Sequence, residues 1–291
     1  MRGLLGQMRT TWRYSARVWP RPGYVERRNV AIEYRWAEGQ YVQLPAMAAE
    51  LVHRQVAVIL ATPIPAALAA KAATATIPIL FSVAGDPVKL GLVAGLARPG
   101  GNATGVNFFQ AELGAKQLGL LRELVPAATR IGLLVNPTNA NVEGVTKDVT
   151  AASTSGLQID VVRASDTREI ESAFATLVRN KADALVVAPD PFFYSRQVQL
   201  ATLATRHALP AIYNVREYPQ IGGLMSYGTS LTEVYRQLGD YTGRILKAAK
   251  PADLPVVQSI KFEFVINLPT ARALGLEIPP TLLARADEVI E

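Results

Sequence analysis

The stretch IPILFSVAGDPVKLGLVAGLARPGGNATGV, residues 77–106, decides the fold class. It begins with an apolar run bounded by Pro78 and Gly85, which is typical of a strand buried on both faces of a sheet. Asp86 and Pro87 suit the start of a helix, which we expect to end at the turn 98–101. A second strand is expected at 103–109. This strand–helix–strand unit would place free helix N–H groups at the carboxyl edge of a sheet, where small anionic groups bind.

The same alternation of strands and helices continues on both sides of this stretch. It predicts parallel sheets with helices on both faces and right-handed crossovers. The predicted strands are 29–34, 56–61, 77–83, 103–109, 131–136, 158–163, 184–188, 211–213, 224–227 and 261–267. Besides the helix that Asp86 opens, the predicted helices are 44–52, 65–73, 113–124, 142–153, 168–179, 195–207 and 231–247, with two short helices near the end.

The last predicted strand, 261–267, follows a long helix and a Pro-containing linker at 250–255. This late strand suggests that the chain returns to one lobe and then crosses back. Two lobes joined by several crossings form a cleft.

The composition excludes several classes of protein. The 291 residues are 49% hydrophobic and 19% charged, which suits an ordered α/β chain long enough for two domains. No apolar run reaches the length of a membrane span, so we expect no stable membrane insertion. The chain contains no cysteine, which excludes disulfides and thiolate metal sites.

The formal charge of +6 belongs to the head, residues 1–28, where seven arginines accompany one glutamate. The remaining 23 basic and 23 acidic residues cancel, so no basic face for nucleic acid is expected. The head also lacks the apolar region of a secretory signal. We interpret it as a poorly ordered or wrongly started terminus, and an organelle transit segment is the alternative.

Motifs of catalysis are missing from the sequence. There is no G-x-S-x-G elbow, no H-E-x-x-H pair and no P-loop. The two histidines, His53 and His207, fall in predicted helices, where a surface or core role is expected. We therefore predict no catalytic residue, no metal site and no cofactor.

Several phrases of the sequence carry a family resemblance. They are GYVERRNVAIEYRWAEGQ at 23–40, PAALAAKAAT at 65–74, GDPVKLGLV at 85–93, RPGGNATGV at 98–106, LGLLRELVP at 118–126, LLVNP at 133–137, GGLMSYG at 222–228, FEFVINLPTARALGLEIPP at 262–280 and LLARADEVIE at 282–291. On these phrases, most of the chain resembles the ABC transporter substrate-binding proteins, specifically the tryptophan/tyrosine-type branch with the periplasmic-binding protein type I fold.

The resemblance implies an α/β fold of two Rossmann-like lobes with parallel sheets, a hinge and a central cleft. Lobe one would comprise 29–106 and 222–255, and lobe two 107–221 and 256–291. Members of the family usually begin with a cleavable signal and a first strand, and here the head 1–28 stands in their place. The resemblance implies a periplasmic location, and cytoplasmic retention is the alternative because no signal peptide is visible.

The resemblance also implies a ligand site at the carboxyl ends of the strands. Such sites use helix N–H groups, a few polar side chains and aromatic walls. The residues at matching positions are Thr62, Ser82, Asp86, Asn136, Asp190, Phe192, Tyr213, Asn214, Glu217 and Tyr227. For an amino-acid ligand, a hydroxyl and helix N–H groups would hold the carboxylate, while Asp190 or Glu217 would pair with the ammonium.

Each of these residues also has a purely structural interpretation. Asp86 can serve only as a helix cap, and Asn136 only as a turn residue. Phe192 can belong to the core. Asp190 stands between two prolines, where we expect neither a helix start for it to cap nor a nearby cation, although Pro-Asp-Pro is also common in turns.

We expect a non-enzymatic, solute-binding component of an ABC uptake system. It would capture an aromatic or branched amino acid by closure of its two lobes, and its partner would be an ABC permease. One alternative is a cytoplasmic ligand-sensing domain of the same fold. A less favoured alternative is an α/β enzyme acting on a small polar substrate such as a sugar or nucleotide, with Asp86 and Asp190 as the acid and base.

Overall fold

The computed structural model describes residues 24–37, 40–108, 113–139, 141–153, 156–259 and 261–291. The predicted disorder of the head concerns 1–28, of which 1–23 lie outside the described residues. The chain divides into two compact units: Met1–Phe109 with Leu231–Lys261, and Gln110–Ser230 with Phe262–Glu291.

The order of elements confirms the alternation of strands and helices. The strands are β1 (Ile59–Ala61), β2 (Ile79–Val83), β3 (Ala103–Phe108), β4 (Arg130–Val135), β5 (Gln158–Arg163), β6 (Ala184–Val187), β7 (Ala211–Tyr213), β8 (Met225–Thr229), β9 (Val257–Ser259), β10 (Phe262–Asn267) and β11 (Glu288–Ile290). The helices are α1 (Leu44–His53), α2 (Ile64–Ala73), α3 (Leu113–Leu124), α4 (Val142–Ala151), α5 (Thr167–Arg179), α6 (Pro191–Ser195), α7 (Gln197–Arg206), α8 (Glu217–Gln220), α9 (Leu231–Leu246), α10 (Leu268–Ala273) and α11 (Pro280–Leu283). Within the described ranges, none of these helices is long and apolar enough to cross a membrane.

The first unit is built on a parallel sheet in the order β1-β2-β3-β9. All five residues of β2 are buried, including Ser82, as its largely apolar sequence predicts. On one face of the sheet, Phe81 packs among the alanines of α2. On the other face, Leu80 and Val106 pack against Leu238 of α9. Helices therefore cover both faces, which is why β2 shows no alternation of polar and apolar residues.

The second unit is built on a seven-stranded sheet in the order β11-β10-β8-β7-β6-β4-β5. All its pairings are parallel except that of β8 with β10. One core joins α3 to β4, β6 and β7 through side chains such as Leu121, Leu133 and Val186. The parallel neighbours β4, β6 and β7 end at one edge of the sheet, and the chain leaves that edge in polar loops.

The helix predicted from Asp86 is wrong beyond its first turn. Asp86 caps that turn, because its Oδ1 accepts the backbone N–H groups of Val88 at 2.9 Å and Lys89 at 3.2 Å. Leu90 N–H donates to the carbonyl of Asp86 at 3.0 Å, which is the bond of an α-helical turn. The structural interpretation of Asp86 is therefore realised, and its carboxylate lies at the exposed carboxyl end of β2.

Gly91 is the reason that this turn does not continue as a helix. Its φ is +70°, in the left-handed region that favours glycine. The Gly91 N–H donates to Val88 O at 3.0 Å and the Leu92 N–H donates to Pro87 O at 2.9 Å. This pair of bonds is the Schellman pattern that ends helices, so the Gly that looked like a helix-interior residue is a stop signal.

The predicted strand 29–34 is also wrong. These residues belong to no sheet, and Val30 makes only an isolated bridge with Glu26. The segment is held to α1 by ion pairs instead, since Arg35 Nε lies 2.9 Å from Glu50 Oε2 and Arg54 Nε lies 2.7 Å from Glu33 Oε2. A segment forms a β-strand only where a neighbouring strand can exchange backbone hydrogen bonds with it. The periodicity of the sequence does not show whether such a neighbour is present.

The chain returns to the first unit at 231–261, whereas 222–255 was expected. The difference arises because β8 pairs with β7 and β10, which places it in the sheet of the second unit. At the other end, β9 pairs with β3 and extends the first unit past residue 255. Neither β9 nor β11 was predicted; each has only three residues and depends on its sheet neighbour for its conformation.

Candidate functional site

The candidate site of the second unit lies at the carboxyl ends of β4, β6 and β7. Asn136 follows β4 directly, Asp190 stands three residues after β6, and Asn214 follows β7. Because these strands are parallel neighbours, their carboxyl ends share one edge. The structure therefore places three of the predicted residues along one row of loops.

Asp190 connects two of these loops. Its Oδ1 accepts the Asn136 side-chain amide at 3.0 Å, and its Oδ2 accepts the Asn139 side-chain amide at 2.7 Å. Oδ1 also accepts the backbone N–H of Phe192 at 2.8 Å. The expectation that Asp190 has no helix to cap is wrong, because it is the N-cap of α6. Both of its oxygens are engaged within the protein.

Asn136 has two roles at once. Its amide donates to Asp190, while its Oδ1 accepts the backbone N–H of Thr138 at 3.0 Å and the Thr138 hydroxyl at 2.8 Å. The second pattern is an Asx turn, which is the structural interpretation given above. Asn139 was not predicted, although its position in the sequence PTNANV, within a loop rich in asparagine and threonine, is a signal for side-chain-to-backbone bonding.

Among the described residues, Glu217 has a buried carboxylate oxygen, Oε2, without a hydrogen-bond partner. Glu217 begins α8 just after β7. Burial raises the pKa of the Glu217 carboxyl, and nearby Glu263 acts in the same direction, while the backbone N–H of Glu217 and the charge of Arg216 oppose the shift. Such a group gains from a cation that arrives as a ligand.

Tyr213 lies beneath this edge and not on it. Its ring is fully buried and stacks on Tyr218 with ring centroids 4.1 Å apart and an interplanar angle of 9°. The Tyr218 hydroxyl donates to the carbonyl of Phe193 at 2.9 Å, which ties α8 to α6. Burial raises the pKa of both phenols. Tyr213 therefore supports the loops from below, and its own hydroxyl has no partner among the described residues.

The other two predicted aromatic residues have different surroundings. Phe192 is half-buried in α6, and the Arg196 guanidinium lies 5.8 Å from its ring centroid. Tyr227, in β8, stacks on Phe262 at 5.6 Å and meets Phe264 edge-on at 6.4 Å. Of the two, only Phe192 belongs to the loops around Asp190.

The first unit has its own polar edge. Thr62 follows β1 and is exposed, and Asp86 follows β2, while Ser82 is buried within β2. The sequence did not single out Asn107 of β3, which is buried and donates through its side-chain amide to the carbonyl of Gly85 at 2.8 Å. Its Oδ1 has no partner in the described part of the chain. A polar residue within an apolar strand is the signal that would have pointed to it.

The described residues contain no cluster of three or more His, Asp or Glu side chains that could hold a metal ion. The arrangement offers hydrogen-bond donors and acceptors and one unsatisfied carboxylate. Groups of these kinds can bind a small polar molecule by non-covalent contacts.

The chain has two α/β units, each with parallel strands that end in polar loops. This is the architecture of two-lobed binding proteins with the periplasmic-binding protein type I fold. A family model described as ABC transporter substrate binding protein matches residues 21–290, and the chain belongs to this family. The family resemblance of the sequence is thereby confirmed. Proteins of the family bind small molecules, work with ABC permeases and are not enzymes.

Three similar proteins illustrate the family. The chain is 27% identical over 256 residues to a tyrosine-binding protein of Clostridioides difficile (strain R20291), which covers 88% of this chain and 73% of that protein. A Streptococcus pneumoniae protein solved in complex with L-Trp is 28% identical, with a TM-score of 0.79 and 90% of each chain covered. A conserved domain protein of Vibrio cholerae is 27% identical, with a TM-score of 0.84, covering 97% of this chain and 94% of that one.

Proposed function

We propose that this chain captures an aromatic amino acid for an ABC uptake system and releases it to the permease of that system. The relatives that bind tyrosine and L-Trp support an aromatic ligand over a branched one. Members of the family are typically periplasmic or extracellular, which supports capture outside the cytoplasm.

The observation that carries the proposal is the difference between the two candidate carboxylates. Asp190 uses both oxygens to hold Asn136, Asn139 and the start of α6, so it has little capacity for a ligand cation. Glu217 has an enclosed oxygen without a partner in the described structure and a raised pKa. In our proposal Glu217 therefore pairs with the ligand ammonium, and Asp190 shapes the loops around it. A charge-assisted hydrogen bond in a partly dehydrated site is strong enough to select for an amine.

A binding cycle tests this assignment. The two ligands are L-tyrosine and 3-(4-hydroxyphenyl)propionate, which keeps the phenol and carboxylate and lacks the ammonium. The two proteins are wild type and Glu217→Gln. We expect wild type to prefer L-tyrosine by about tenfold or more, and Glu217→Gln to lose most of that preference, because charge-assisted hydrogen bonds contribute about 1.5–3 kcal/mol. Calorimetric titration measures all four affinities.

The matched control is Asp190→Asn in the same cycle. It should weaken both ligands together, because it changes the shape of the site and not the group that faces the ammonium. If Glu217→Gln leaves the preference intact and Asp190→Asn removes it, Asp190 is the ammonium partner and our assignment is reversed.

A further inference from the structure

Gln117 of α3 is a buried polar residue that the function described so far does not use. Its side chain is fully buried on the apolar stripe of α3, between Leu113 and Leu121. Its Nε2 lies 3.1 Å from the carbonyl oxygen of Tyr213 and 2.8 Å from that of Tyr227. Both neighbours are acceptors only, so the group that faces them must be the amide nitrogen.

These two carbonyls lie where the regular pairing of β7 with β8 ends. The strands pair through Ile212 with Met225 and through Tyr213 with Ser226, and no later pair is formed. Just past this point, a Cβ added to Gly228 would overlap the carbonyl oxygen of Asn214, so the two backbones are in close contact. The Gln117 amide therefore bridges the end of β7 and the middle of β8 by donating to the carbonyls of Tyr213 and Tyr227, and we call this junction the fork.

The fork is next to the proposed binding groups. Asn214 follows Tyr213 directly, and Glu217 begins α8 three residues later. The path from the strand end to Glu217 is short, so the direction in which β7 ends sets the position of Glu217. Without the two donors of Gln117, each of these carbonyls would lose a hydrogen bond, and the end of β7 would be less firmly held against β8.

We propose that Gln117 is a positioning residue that fixes the carboxyl end of β7 against β8 and thereby places Asn214 and Glu217 for the ligand. The expected effect of Gln117 on ligand binding rests on the proposed function. The expected effect of Gln117 on the structure of the fork does not.

The test compares wild type with two variants of α3. Gln117→Met keeps the length and approximate volume of the side chain and removes both donors. Leu121→Ala is the stability-matched control, because it opens a cavity on the same buried stripe and leaves the fork untouched. Hydrogen–deuterium exchange of the peptide 213–218 and affinity for L-tyrosine are measured for each protein under conditions where it is folded.

We expect faster exchange at 213–218 and an affinity for L-tyrosine weakened about tenfold or more in Gln117→Met, and neither change in Leu121→Ala. Equal exchange and equal affinity in the two variants would overturn the proposal and leave Gln117 as an ordinary core residue. If wild type binds neither L-tyrosine nor L-tryptophan, the proposed ligand class fails by itself, and the exchange data still decide whether Gln117 fixes the fork.

A third variant, Gln117→Glu, tests the need for a donor at this position directly and serves if Gln117→Met does not fold. The protonated carboxyl group of this variant can donate to one of the two carbonyls, whereas the ionised carboxylate can donate to neither. Exchange at 213–218 in this variant, corrected for the intrinsic pH dependence with wild type, should therefore increase as pH rises from 5 to 8. A pH-independent ratio to wild type would contradict a role for donation.

Discussion

The Asp190 carboxylate combines a capping role with two long-range contacts. It caps α6, and it holds Asn136 and Asn139 through its two oxygens. The sequence pattern Pro-Asp-Pro showed a turn, but the partners of the carboxylate come from a loop about 50 residues earlier, which no local pattern reveals. At the scale of the residue, the turn at Asp190 was predictable from the sequence, and the hydrogen-bond partners of its carboxylate were not.

Removing this carboxylate should cost more than removing a cap alone. We expect Asp190→Ala to lower the free energy of unfolding by about 2–4 kcal/mol, from the lost cap and the two unpaired amides. Asp166→Ala is the matched control, since Asp166 caps α5 through Arg168 N at 2.7 Å and Glu169 N at 2.9 Å. It should cost about 1 kcal/mol. Urea unfolding measures both, and equal losses would show that the asparagine bonds contribute nothing.

Glu217 should make stability depend on pH in a specific direction. Its pKa is raised in the folded state, mainly by burial, so the folded protein holds a proton more tightly than the unfolded chain. Its contribution is therefore most favourable below the unfolded pKa of about 4.3 and is lost as pH rises through the folded pKa.

The measurement is the thermal midpoint of Glu217→Gln relative to wild type across pH 4 to 8. The difference should shift in favour of the variant as pH rises. Glu233→Gln is a control of opposite sign, because the hydrogen bond from Arg236 lowers the pKa of Glu233 and its contribution is lost as pH falls. A difference for Glu217→Gln that is flat with pH would show that burial does not penalise its charge.

At the scale of elements, contiguous apolar runs predicted the central strands well, because a strand covered on both faces needs no polar residue. The failures share a physical cause. The segment 29–34 and the strands β9 and β11 depend on whether a neighbouring backbone is present, and that is a tertiary property. The prediction of a helix after Asp86 was wrong because Gly91, with its left-handed φ, ends the helical turn that Asp86 caps.

Gly91 gives the element-scale prediction. Replacing it with alanine introduces no clash, since no atom lies within 4 Å of the position that the new Cβ would take, so the cost is purely conformational. We expect Gly91→Ala to destabilise the first unit by about 1 kcal/mol, because its φ of +70° disfavours any side chain. Gly95→Ala is the control within the same loop, without a left-handed φ and with an ordinary contact of 3.6 Å to Arg98 O. Calorimetric unfolding that gives equal midpoints for both variants would contradict the role of Gly91 as a stop.

At the scale of the whole molecule, the order of strands and helices predicted which residues lie at the same edge of a sheet but not the direction of each side chain. Parallel strands end together, so residues after β4, β6 and β7 were bound to lie along one edge. Tyr213 and Gln117 show the limit of this reasoning. Tyr213 points into the core because both faces of its strand are covered. Gln117 lies on the buried, otherwise apolar face of α3, and the sequence alone does not show what a single polar residue on such a face contacts.

The central claim is that this member of the substrate-binding family captures an aromatic amino acid. The most direct test is a thermal-shift and calorimetric titration of the purified chain with L-tyrosine and L-tryptophan, alongside L-leucine, L-isoleucine and a set of sugars and nucleosides. We predict saturable binding of one aromatic amino acid, with a gain of about 2.7 kcal/mol in the free energy of unfolding at a ligand concentration one hundred times its Kd. A folded sample that responds to a sugar or nucleoside, or to no amino acid at all, would contradict the claim.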